Sequence, residues 1–162
     1  MSLYSRRFVL ALPVVVAGCG FTPVYGPGGA AEGLRGRVDV DPPRDTVGFE
    51  LVRQLEDRFG LPDQVDYRLT ADVFVSEEEL GITPDQEITR FNVLGRVRFA
   101  LFDLTSGDLV TDGEVSNFTS YSATGTPFAT QTARQDARDR LMGVLADQIV
   151  ARLLVTAEDW RG

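Results

Sequence analysis

The groups able to do covalent or acid–base chemistry in this chain are few. There is one thiol, Cys19, and no histidine, so the commonest general base and transition-metal ligand is absent. There is no lysine; all sixteen basic residues are arginine, which stays protonated and does not act as an amine nucleophile. Ser, Thr, Tyr, Asp and Glu remain. Glu77, Glu78 and Glu79 are contiguous carboxylates, but neighbours on a strand end point to opposite faces, so they read as part of a solvated acidic loop rather than a hydrolytic pair. No nucleophile elbow, phosphate-binding loop, dinucleotide fingerprint or calcium loop is present. This inventory points away from an enzyme and from any bound cofactor or metal.

The spacing around the single thiol is more informative. Arg6 and Arg7 precede nine apolar residues, Phe8 to Val16, and then Ala17, Gly18 and Cys19. A positive region, a short apolar run and small residues before a cut are the layout of an export signal. The run is too short for a bilayer span, which needs about 20 residues. Val16-Ala17-Gly18-Cys19 resembles a bacterial lipobox, in which the cysteine thiol is acylated and the chain is cut before it. Residues 1–18 are then a cleaved signal and Cys19 carries the membrane anchor. Ser5-Arg6-Arg7-Phe8-Val9-Leu10 also resembles a twin-arginine motif. In a chain without lysine two arginines are the only basic choice, so both general and folded-state export stay open.

Loss of residues 1–18 removes two arginines; fourteen arginines against twenty-four carboxylates leave a formal charge of −10. Such a body argues against nucleic acid and against electrostatic docking on anionic lipid. Residues 19–33 are rich in glycine and proline and read as a lipidated tether. Phe21, Val24 and Tyr25 within it suit either a lipid or partner contact or packing on the chain's own domain.

Residues 34–162 read as one α+β domain. Leu34 to Asp41 alternates with period two and predicts a strand ending at Pro42-Pro43. A helix starts at Asp45 or Thr46, with Val47, Leu51, Leu55 and Phe59 on one face and Gly60 and Pro62 as stop. Tyr67, Leu69, Ala71, Val73 and Val75 predict a second strand, and Glu77 to Glu87 an acidic loop. Phe91 to Leu101 predicts a long strand, Thr105-Ser106-Gly107-Asp108 a turn, and Leu109 to Tyr121 a further strand. Thr126-Pro127 opens a last helix of about 28 residues. Its stripe is Ala133, Ala137, Leu141, Leu145, Ile149 and Leu153, widened by Val144 and Val150. The order is β-α-β-β-β-α, two helices packed on one face of a roughly four-stranded sheet.

With these segments assigned, the chain resembles the LptE family of lipopolysaccharide-assembly lipoproteins. The resemblance is carried by Cys19-Gly20-Phe21, by Pro23-Val24-Tyr25-Gly26, by the long hairpin Phe91 to Tyr121, and by the final helix with Ala146-Asp147-Gln148-Ile149-Val150-Ala151-Arg152-Leu153. It implies a non-enzymatic protein that plugs the outer-membrane β-barrel LptD, helps that barrel assemble and assists insertion of lipopolysaccharide. Gly20, rather than aspartate, after the lipidated cysteine implies sorting to the outer membrane. The family also implies contact with lipopolysaccharide through basic side chains.

In an acidic chain only a local arginine patch suits an anionic ligand. Arg96 and Arg98 share one face of the long strand, and Arg90 belongs to it by parity; the planar guanidinium fork matches phosphate. The competing reading of Arg90, Arg96 and Arg98 is a solvated face paired with acids. Arg134, Arg138 and Arg140, interleaved with Asp136 and Asp139, read as a solvated helix face with internal pairs such as Asp136–Arg140. Outside this family, the readings left are an accessory lipoprotein of another envelope lipid-transport complex and a hydrolase using Asp and Glu.

Overall fold

A computed structural model describes residues 33–82, 88–123 and 125–160. The signal, Cys19 and the segment 20–32 lie outside them. The elements run β1 (Val38–Val40), α1 (Thr46–Phe59), β2 (Tyr67–Ile82), β3 (Ile88–Asp103), β4 (Leu109–Ser122) and α2 (Pro127–Trp160). The strands form one mixed sheet in the order β1-β2-β3-β4, with β1 parallel to β2 and the other pairs antiparallel. Both helices cover the same face, α2 over β3 and β4 and α1 beside it, so the predicted β-α-β-β-β-α architecture holds.

Local chemistry sets the boundaries. Asp45 Oδ1 accepts from the Gly48 amide at 2.6 Å, satisfying one free donor at the start of α1. Thr126 Oγ1 does the same for Ala129 at the start of α2, at 3.3 Å. In the turn between β3 and β4, Asp103 Oδ1 accepts from the amides of Thr105 and Ser106 at 2.7 and 3.0 Å.

Four expectations are corrected. The first strand is only Val38–Val40, although Leu34 is buried. Gly36 adopts φ 71°, which is incompatible with a strand, and its amide is spent on the Phe59 carbonyl at 2.8 Å. The acidic segment from Glu77 is not loop up to Ile82: β2 continues through it, paired with β3 as far as Ile82↔Ile88, and residues 83–87 lie outside the description. The last helix has 34 residues rather than about 28, because no glycine or proline interrupts it after Gly143 and Ala157 is still buried. Its apolar face is widened by buried Met142 and Ala146, whereas Val144 is exposed.

One core joins the layers: Leu51, Leu55 and Phe59 of α1, Leu69 of β2, Val93, Val97 and Leu101 of β3, and Leu141, Leu145, Ile149 and Leu153 of α2. Each such side chain contributes about 1.5–3 kcal/mol on burial. Gly95 fixes how closely α2 approaches. A Cβ there would lie 2.7 Å from Leu145 Cδ1 and 2.9 Å from Leu141 Cδ2, so only glycine lets the helix seat on β3.

The contiguous glutamates divide by strand parity. Glu77 lies under α2, where its carboxylate receives Arg138 Nη2 at 2.7 Å, Arg134 Nε at 3.3 Å and the Tyr121 hydroxyl at 3.1 Å. Arg134 Nε also donates to the Tyr121 oxygen at 2.9 Å; that bond and then the charge of Glu77 raise the Arg134 guanidinium pKa above its usual value. So Arg134 and Arg138 are not a solvated helix face: they clamp the helix to the hairpin, while Arg140 does pair with Asp136. Glu77→Ala should therefore cost about 1.5–3 kcal/mol of stability, the range for hydrogen bonds to charged groups. Glu78→Ala, on the opposite and exposed face, should stay within about 0.5 kcal/mol. Equal urea midpoints for the two variants would refute the clamp.

Candidate binding surface on the open face of the sheet

With both helices on one side, the other face of β2, β3 and β4 has no covering layer among the described residues. Parity and register decide what it shows. On β2 these are Arg68, Thr70, Asp72, Phe74, Ser76 and Glu78; on β3 Arg90, Asn92, Leu94, Arg96, Arg98, Ala100 and Phe102; on β4 Asp112, Glu114, Ser116, Phe118 and Ser120. Phe74 lies opposite Arg96, and Leu94 opposite Phe118, so the apolar side chains fall in one band across three strands. Phe74 and Phe118 are 56% and 59% exposed, which for phenylalanine on a paired strand is a large apolar surface left to water. The band lines a concavity of about 760 Å³ with Leu94, Arg96, Arg98 and Ser116.

Two of the three predicted arginines sit in this band. Glu114 receives both, Arg98 Nε at 2.9 Å and Arg96 Nε at 3.3 Å. Two cations against one carboxylate leave one positive charge, and Arg98 also lies 6.0 Å from the centre of the Phe74 ring, within cation–π range. Arg90 is on the same face but six residues from Arg96, about 20 Å along the strand, and does not join the pair. At the other end Arg68 lies over Phe102 at 5.4 Å.

The charges on this face balance. Arg68, Arg90, Arg96 and Arg98 oppose Asp72, Glu78, Asp112 and Glu114. In a chain of net charge −8 a neutral, partly aromatic face is the part least repelled by an apolar or anionic partner. Depletion of net charge around exposed aromatic and arginine side chains is the composition of a contact surface. Nothing in the band resembles a nucleophile with an adjacent base.

Strand parity alone puts Arg90, Arg96 and Arg98 on this face, but it does not single out Phe74, Phe118 and Glu114. The signal was present: Phe74 and Phe118 are large apolar residues on the polar phase of an alternating strand. Glu114 became visible only with the register that sets it against Arg98.

Comparison with known proteins agrees with this architecture. The profile of the LptE family, described as lipopolysaccharide-assembly, matches residues 36–153. A relative from Rickettsia prowazekii, an uncharacterised protein, is 24% identical over 148 residues, spanning 91% of this chain and 94% of that relative. Among solved structures, a lipoprotein of Caulobacter crescentus superposes with a TM-score of 0.68 at 21% identity, covering 82% of this chain and 98% of that one. The rare lipoprotein B of Shewanella oneidensis superposes with a TM-score of 0.59 at 12% identity, covering 78% and 98%. At these identities the two structures establish the shared fold.

Proposed function

The chain belongs to the LptE lipopolysaccharide-assembly family, and from that premise we propose that it is an outer-membrane lipoprotein, anchored through acyl chains on Cys19, that occupies the barrel LptD and assists insertion of lipopolysaccharide. It works by filling a partner, not by turning over a substrate. The observation that carries this reading is the uncovered sheet face: aromatic side chains exposed on long paired strands, with an Arg96–Glu114–Arg98 cluster set among them. A barrel lumen supplies the apolar and polar surface that such a face lacks in the free domain. The residual positive charge of the cluster suits a phosphate of lipopolysaccharide or a carboxylate of the barrel wall.

Charge reversal tests it. Arg96→Glu with Arg98→Glu places three carboxylates together in the band. The side chains are 58% and 66% exposed, so folding stability should change little. Co-purification of the barrel, or lipopolysaccharide binding, should fall roughly tenfold or more, because buried like charges at an interface cost several kcal/mol. Unchanged barrel yield, lipopolysaccharide binding and envelope permeability in a stably folded double variant would remove this face from the mechanism. Retention of an inner-membrane transporter in place of a barrel would favour the other envelope lipid-transport reading.

A further inference from the structure

We propose that one end of the domain, the plate carrying Leu61, Val65, Leu104 and Leu109, rests directly on the surface of a lipid bilayer. The inference builds on the anchor read at Cys19 and concerns the end of the domain, which adjoins the open sheet face at Leu109, the partner of Phe102.

Three connecting segments meet at this end: residues 33–37 before β1, residues 60–66 between α1 and β2, and residues 103–108 between β3 and β4. Main-chain hydrogen bonds fasten them to one another. Gly36 donates to the Phe59 carbonyl at 2.8 Å, Asp63 to Gly36 at 2.9 Å, Asp66 to Arg37 at 3.0 Å, and Leu104 to Asp66 at 2.9 Å. The result is a plate, not a set of loose loop tips.

On that plate Leu61 is 84% exposed, Leu109 53%, Leu104 47% and Val65 42%. A single exposed leucine needs no account. Leu61, Val65 and Leu104 on these fastened connections, with Leu109 at the adjoining start of β4, leave apolar surface at one end of the domain that calls for an apolar neighbour.

The path of the chain selects the neighbour. Cys19 lies fourteen residues before Gly33, a contour of at most ~50 Å. Gly33 enters the fold at this plate, whereas exposed Phe128 lies at the start of α2, which follows the opposite ends of the strands. The anchored chain therefore enters the fold at the plate, which makes the plate the first part of the domain to meet the bilayer along the chain. The plate's charges also define the contact. Arg35 and Arg37 stand against Asp63, Asp66, Asp103 and Asp108, an acidic balance that gives no attraction to anionic headgroups. The contact is apolar insertion of short side chains into the interface, and zwitterionic lipid suffices for it.

The test uses the lipidated protein, extracted from membranes and reconstituted into phosphatidylcholine vesicles. With Cys19 blocked by its lipid, nitroxide labels are placed singly at Leu61→Cys and Leu104→Cys, and at Phe128→Cys as the distal control. These side chains lie outside the core, so the labels leave folding intact. Expected is an oxygen-to-nickel accessibility ratio at Leu61 and Leu104 at least several-fold above that at Phe128, unchanged when phosphatidylglycerol is added. Vesicle-bound protein in which all three labels read as water would overturn the plate contact while leaving the anchor standing. Protein that washes off the vesicles would remove the anchor and this contact with it. A signal that arises only with anionic lipid, or only after the barrel is added, would also overturn the proposal, assigning the plate to electrostatic docking or to a protein partner.

Discussion

Leu145→Asp is expected to abolish the cooperative unfolding transition, leaving no folded baseline at 37 °C. Leu145 is fully buried and its Cδ1 occupies the space that Gly95 leaves open on β3. The substitution loses about 1.5–3 kcal/mol of burial. It also places a carboxylate in a core that, among the described residues, holds no buried polar or charged residue to receive it. An uncompensated buried charge adds several kcal/mol more. A domain of this size has about 5–15 kcal/mol to lose in all. Leu141→Asp should behave alike, for the same face of α2 meets the same glycine. Circular dichroism melting decides the matter: a wild-type melting temperature in both variants would mean that α2 does not seat on β3 as described.

The second large effect is at the other end of the chain. Cys19→Ala should move the protein quantitatively from the membrane to the soluble fraction in cells lacking the barrel. A diacylglycerol with an amide-linked chain exceeds the two signals needed for stable attachment, and each buried methylene contributes about 0.8 kcal/mol. Without it, the apolar side chains left for lipid, those of the proposed plate together with Phe21, Val24 and Tyr25, should hold too weakly to survive washing. Folding should be untouched, because the core among the described residues, from Leu34 to Leu153, is built within the domain itself. Continued sedimentation of Cys19→Ala with the outer membrane, barrel absent, would refute the anchor.

The amino-acid sequence carried the element order, the cap at Thr126, a choice of Asp45 or Thr46 for the first cap, the central stripe of α2 that faces the core, and the family. These are short-range properties: a cap needs one side chain and an amide three residues on, and an apolar stripe repeats whatever lies opposite it. The same reasoning placed Arg96 and Arg98 on the uncovered face, since parity along a single strand needs no partner. Tertiary structure decided everything that depends on which residue lies opposite which. The register set Glu114 between Arg96 and Arg98, brought Leu94 beside Phe118, and left Arg90 about 20 Å away. Docking of α2 turned Glu77 from one of three solvated acids into the anchor of Arg134 and Arg138. Pairing with β3 extended β2 through an acidic stretch whose composition alone reads as loop, because ladder hydrogen bonds outweigh weak local strand propensity. Gly95 reads in sequence as a weak point in a strand; in the fold it is the seat of a helix.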